Sequence, residues 1–184
     1  MSSLYILGKI LSLPGAFLKA FWEHLVYKIL KVPVESNAYL NIDEGLGHVE
    51  HDHPSSLLRL FLGNFLPGFL NFLLGLPPFL AGALGIVYLG VGPTVIETGA
   101  KAPIFYVYLL AYFIGGAFLC NIFPLLEDSH LLWEKLYSSK SNAGLIAKVL
   151  LFVPSALMLV GSYLEQYALN VLFMLVMLLV GIFA

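Results

Sequence analysis

Long apolar stretches dominate the chain, and polar residues gather in a few short windows between them. A helix needs about 20 apolar residues to cross a hydrocarbon core of about 30 Å, and about five stretches approach that length. The first runs from Ile10 to Leu30 and carries Lys19, Glu23 and His24 inside it. The second, Leu57 to Val91, is too long for one simple crossing and contains Pro67, Pro77 and Pro78. Proline lacks the backbone donor and clashes with the preceding turn, so this stretch predicts one crossing with a broken or re-entrant piece, or a tight hairpin. The third is Ile104 to Leu126, the fourth Leu145 to Leu164 and the fifth Tyr167 to Ala184, with Glu165 and Gln166 as a short polar turn between the last two. The stretches are continuous and do not alternate as barrel strands do. The pattern predicts an all-α, polytopic helical membrane protein, a single domain over 1–184 with about five membrane segments. A polar loop at 31–56 stands apart, and Val32–Val34 and Ala38–Ile42 are candidate short strands within it.

Composition narrows the class. Of 184 residues, 60% are hydrophobic and only 11% charged, with a mean hydropathy of +0.91. A soluble domain carries about 25% charged residues, and a globule of this size has too little interior to hide the excess. That excludes an ordinary soluble enzyme, a nucleic-acid binder and a disordered regulator. The lone Cys120 excludes an internal disulfide and a cysteine-based zinc module. The first eight residues lack a basic region and no small-residue cleavage site follows, so the N-terminal segment is expected to stay in the mature protein. Lys28, Lys31 and Arg59 flank the loop 31–56, and Lys135, Lys140 and Lys148 flank the loop 127–144. Basic residues favour the cytoplasmic side. With five crossings both loops lie there, in an integral membrane protein expected in the cell membrane.

The window 23–53 holds six of the eleven acids and four of the five histidines. Gly47-His48-Val49-Glu50-His51-Asp52-His53-Pro54 is its densest part. In an extended backbone alternate side chains share a face, which would set His51 and His53 together beside Val49. Imidazole and carboxylate are ligands for zinc and related ions, and short His-rich runs also occur in plain solvated loops. Both readings stand. Lys19 and Glu23 are four apart and share a helix face. Ionisable groups at membrane depth face the bundle interior and pair, so the spacing predicts a Lys19–Glu23 ion pair. His24 lies about 100° further round the helix. Pro124 interrupts the third stretch and leaves Glu127 and Asp128 at its edge, on the same side as the His-rich loop and within reach of it.

Three pieces, taken in order, resemble the site-2-protease-like intramembrane metallopeptidases and related membrane zincins. Their early helix reads roughly P-G-T-x-x-H-E-x-x-H, where two histidines bind zinc and the glutamate is the general base; here it is Pro14 through His24. A later loop reads roughly G-Y-V-x-H-x-x-P; here it is Gly47 through Pro54. A later helix end carries a ligand aspartate after an N-x-x-P or F-P element; here it is Asn121 through Asp128, so Asp128 matches that ligand. The chain departs at the centre of the first motif. Lys19 stands for the first histidine, Ala20 for the glutamate and Glu23 for the second histidine, and H-E-x-x-H occurs nowhere. The resemblance therefore implies a pseudopeptidase, in which an ammonium replaces the metal's charge.

The leading expectation is a non-catalytic membrane protein on a metallopeptidase-like scaffold, set in the lipid bilayer and binding a transmembrane peptide or a partner membrane protein. Gly115-Gly116 suits close helix packing there. One alternative is an active membrane metalloenzyme, a peptidase with a shifted zinc site drawn from Glu23, His24, His48, His51, His53 and Asp128. Another is a small transporter or structural subunit built on the 57–91 stretch.

Overall fold

A computed structural model describes residues 3–35, 39, 46–88, 102–139 and 141–183. Seven helices run through the described residues: α1 Ser3–Leu11, α2 Leu13–Ile29, α3 Leu57–Tyr88, α4 Ala102–Leu119, α5 Leu126–Tyr137, α6 Leu145–Gln166 and α7 Leu169–Phe183. The helical class agrees with the apolar pattern. Two helices, α3 and α6, are long and apolar enough to cross a membrane, and a third span exists if α1 and α2 count as one bent crossing. This is fewer than the five segments expected. At 1.5 Å per residue α4 reaches about 27 Å and α7 about 22 Å, both short of a 30 Å core. The apolar run from Ile104 is cut at Leu119 because Asn121 turns into a buried hydrogen-bond network and Pro124 follows.

The proline-rich stretch is also corrected. Leu57–Tyr88 is one continuous helix of 32 residues with Pro67, Pro77 and Pro78 inside it. Its C-terminal half packs closely on α4, with Gly75, Gly82 and Gly85 against it, and its N-terminal part packs on α5 and α6 through Leu60. Glycines repeat every seven residues on the contact face. A Cβ at Gly75 would lie 2.7 Å from the Phe118 Cβ, and one at Gly82 would lie 2.4 Å from the Tyr112 nitrogen. Gly115 of α4 returns the close approach against the Phe79 nitrogen. Backbones this close gain dispersion contacts that larger side chains would forbid.

The expected first span begins earlier and breaks. α1 and α2 meet at Ser12 with a bend of 96°, and Pro14 sits in the first turn of α2, where its missing N–H costs nothing. Gly15 packs α2 onto the Ala117 carbonyl of α4, and Ala16 and Ala20 are fully buried beside it. Asn71 of α3 ties the bend down, donating to the carbonyls of Gly15 at 3.0 Å and Asn121 at 2.9 Å. Asn121 in turn donates to Ser12 Oγ at 2.8 Å.

In the loop before α3 no strand forms among the described residues. Val34 and His51 make one isolated antiparallel bridge; most of the candidate strand Ala38–Ile42 lies outside the described residues. Gly47, at φ 84°, turns the chain against Ala16 of α2, a left-handed conformation that favours glycine. α5 is amphipathic. Leu132 and Leu136 are buried in a cluster with Leu60 of α3 and Met158 of α6, and Asp128 lies four residues before Leu132 on the same inward face.

Candidate functional site

The helices bring together two buried polar centres that share Glu23. In the first, the Lys19 ammonium lies 3.7 Å from Glu23 Oε1, the i,i+4 pair that the spacing predicts. It also lies 3.8 Å from Glu165 Oε1 and donates to the Phe123 carbonyl. Glu165 pairs with Lys9 as well, and its other oxygen accepts from the Phe123 N–H at 3.3 Å. Lys9 donates to Asn121 Oδ1 at 2.7 Å. Two ammonium groups and two carboxylates are thus buried together. Each desolvated ion costs several kcal/mol unless paired, so removing one partner costs about 3–5 kcal/mol. Glu165 is therefore no solvated turn residue. Its burial follows from α1, which folds back across α6 and delivers Lys9 to it.

The second centre is built from the loop and α5. His48 Nε2 and His51 Nε2 each lie 3.8 Å from Asp128 Oδ2, and the three residues place ligand atoms within 4.8 Å of one another. His53 approaches the other carboxylate oxygen, with Nδ1 4.0 Å from Asp128 Oδ1, while its side chain remains exposed. Loop alternation alone would have sent His48 away from His51. The backbone from 48 to 51 departs from regular alternation, and both rings face Asp128.

Contacts behind the imidazoles fix their orientation. His51 Nδ1 lies 3.0 Å from the Asp52 carbonyl, so a ring N–H there donates to it and Nε2 is left with a lone pair. That Nε2 is buried and has no hydrogen-bond partner. Such a group costs about 1–3 kcal/mol if nothing binds it. The His51 ring lies on Tyr27, centroids 3.8 Å apart. Tyr27 Oη meets Asn64 Oδ1 at 3.4 Å, and the Asn64 amide donates to the Asp128 carbonyl at 3.0 Å. Glu23 Oε2 accepts from the Val49 N–H at 3.1 Å and lies 2.8 Å from His48 Nδ1. No hydrogen bond joins that second pair, because the carboxylate is off the donor direction of the ring. Burial pulls the His51 pKa down, and the Asp128 carboxylate and Asp52 carbonyl outweigh it, so the net direction is upward from the usual imidazole value.

Of the residues singled out in sequence, Glu23, His48, His51, His53 and Asp128 converge. His24 does not. It is half-buried against Tyr39, ring centroids 5.8 Å apart, and a shifted site that includes it does not form. Lys19 belongs to the first centre, and Ala20, its neighbour in sequence, is buried. A zinc ion of the metallopeptidase kind does not fit at positions 19, 20 and 23. Lys19 places a paired cation there, Ala20 carries no ligand, and both Glu23 oxygens are engaged. Lys9, Glu165 and Asn71 were missed as site residues. Their signal was the ionisable or amide side chain inside an apolar stretch.

No family model, no curated protein and no solved structure matches this chain.

Proposed function

We propose that the chain is a non-hydrolytic membrane protein on a metallopeptidase-like scaffold, and that it receives a transmembrane segment of a partner in the groove between α3 and α6. The observation that carries this reading is the position of Lys19. Its ammonium stands where the resemblance puts the first zinc ligand, between the Glu23 and Glu165 carboxylates. A fixed cation repels a metal ion at that point. A general base must reach the proton it abstracts; Ala20 offers none, and Glu23 is held by Lys19, His48 and Val49.

The groove supports the binding half of the reading. It encloses about 200 Å³ and is walled by Phe65, Phe69 and Phe72 of α3 and by Pro154, Leu157 and Met158 of α6. Asn64 and Phe123 also line it. Asn64 holds the Asp128 carbonyl and the Phe123 carbonyl holds Lys19, so an apolar segment in the groove would touch residues that support both polar centres. The loops 31–56 and 127–144 share one side in this reading, which the basic flanks assign to the cytoplasm, and the remaining apolar surface faces lipid.

The test is restoration. Lys19→His, Ala20→Glu and Glu23→His together return H-E-x-x-H to residues 19–23, on the helix that the resemblance sets opposite Asp128. On a metallopeptidase-like scaffold this variant, made together with His48→Ala and His51→Ala, binds one zinc per chain through residues 19, 23 and Asp128. A monodisperse variant of that kind with no zinc sinks the scaffold reading. For the groove, a photo-crosslinking residue at Phe69 should trap a transmembrane peptide that the same residue at Leu145 does not.

A further inference from the structure

We propose that His48, His51 and Asp128 form a binding site for a borderline first-row dication, Zn²⁺ being the natural probe, and that the ion fastens the loop 46–54 to α5. The site shares Asp128 with the resemblance, but its two imidazoles come from the loop and none from α2, and it is argued from the geometry of these three residues alone, so it does not rest on the scaffold reading.

Spacing is the first argument. In a tetrahedral zinc site with bonds of about 2.0–2.1 Å, neighbouring ligand atoms stand about 3.3–3.4 Å apart. The two separations of 3.8 Å between imidazole nitrogens and Asp128 Oδ2 exceed this by less than half an ångström, a distance that small side-chain rotations close. The same separations are too long for hydrogen bonds, so these polar atoms converge without satisfying one another.

Chemistry is the second. His51 has Nδ1 engaged by the Asp52 carbonyl and a bare Nε2 directed at Asp128. His48 has Nδ1 against Glu23 and Nε2 toward Asp128. A carbonyl behind a ligating imidazole is the usual means of setting its tautomer, as Asp52 does for His51, and Glu23, 2.8 Å behind His48 Nδ1, is the positioning residue for that ring. Asp128 is buried and has no lysine or arginine partner among the described residues. The nearby ammonium of Lys19 is taken up by Glu23 and Glu165. A dication supplies the charge that Asp128 lacks. Exposed His53 at Asp128 Oδ1 marks the solvent side, and it or water completes the fourth position.

The full chain, purified without a polyhistidine tag and stripped with a chelator, is titrated with Co²⁺ in detergent micelles. About one equivalent should develop the intense visible absorption of tetrahedral cobalt, and Zn²⁺ should bleach it. His51→Ala and Asp128→Asn should each weaken binding at least about 100-fold. Glu23→Gln should weaken it about 10–100-fold by releasing His48. His24→Ala and His130→Ala should leave it unchanged. A wild-type spectrum that remains that of hydrated cobalt overturns the proposal without reference to any variant. So does tight binding that survives both His51→Ala and Asp128→Asn. The wild-type titration keeps residues 19–23 unchanged, whereas the H-E-x-x-H restoration is read with His48 and His51 removed, so the two readings fail separately.

Discussion

Glu23 and His48, 25 residues apart in sequence, meet at 2.8 Å where α2 passes under the loop. This contact joins the charged cluster of Lys9, Lys19 and Glu165 to the histidine–aspartate centre. Glu23 divides its oxygens between the two, one facing Lys19 and the other facing His48 and the Val49 N–H. It cannot serve one centre without constraining the other.

The charged cluster holds the bend between α1 and α2 against α6. Glu165→Gln removes the carboxylate shared by Lys9 and Lys19 and leaves two buried ammonium groups with one counter-charge. The expected loss is about 3–5 kcal/mol, read by equilibrium unfolding in mixed micelles. Unchanged stability would mean that the lysines reach water and that the cluster does not stabilise the bend.

Asn71 bridges the Gly15 and Asn121 carbonyls from the middle of α3. Asn71→Ala removes the Asn121 carbonyl's Asn71 donor and the second donor of the Gly15 carbonyl, which keeps its helical partner in α2. An orphaned buried group costs about 1–3 kcal/mol, and a loss in that range is expected on the same unfolding assay. Asn71→Asp should cost more, because it adds a buried charge.

Close approach of α3 and α4 depends on Gly82. A methyl there would fall 2.4 Å from the Tyr112 nitrogen, which is backbone and cannot swing away. Gly82→Ala should therefore destabilise by about 1–3 kcal/mol, the usual cost of overpacking. Gly144, with nothing within 4 Å of its would-be Cβ, is the matched control: Gly144→Ala should be neutral in a thermal aggregation assay.

In the metal-free chain, burial lowers the His51 pKa, and the Asp128 carboxylate and the Asp52 carbonyl, with Glu23 behind them and His48 and His53 also near, more than offset it. Its folded pKa lies above the unfolded value. The stabilisation is fully present below about pH 6.5, the unfolded value, and is lost as pH rises through the folded one. Stability measured with chelator should decline over that range, and His51→Gln should flatten the decline. With Zn²⁺ present the slope should reverse, since the metal needs neutral imidazoles and competes with protons.

An ion joining the loop to α5 also predicts protection. Glu50 and Asp52 are exposed beside the buried His51, so a protease that cuts after acidic residues reaches the loop when it opens. Zn²⁺ should slow that cleavage in the wild type and not in Asp128→Asn. Equal rates with and without Zn²⁺ would show that no clamp forms.

Much of this was legible in the chain. Apolar run length specified helices, two or three of them long and apolar enough to cross a membrane, because hydrophobic burial is additive along the sequence. The i,i+4 spacing of Lys19 and Glu23 specified their pairing, because a helix puts those positions on one face. The same local reasoning overcounted the spans and broke the helix at Pro77-Pro78. It could not weigh the glycine seam that packs α3 on α4. It also read Glu165 as a turn residue, since Lys9 is 156 positions away.

The sequence by itself determined the class, the internal ion pair and the residue types that could hold a metal. Tertiary structure alone decided which of them meet. His24 and His51 look equivalent in the chain, yet one faces Tyr39 and the other Asp128. The reason is that helix periodicity acts within one element, whereas a binding site is set by how α2, α5 and a loop turned at Gly47 pack together. Those distances depend on side chains far apart in sequence, and no local pattern carries them.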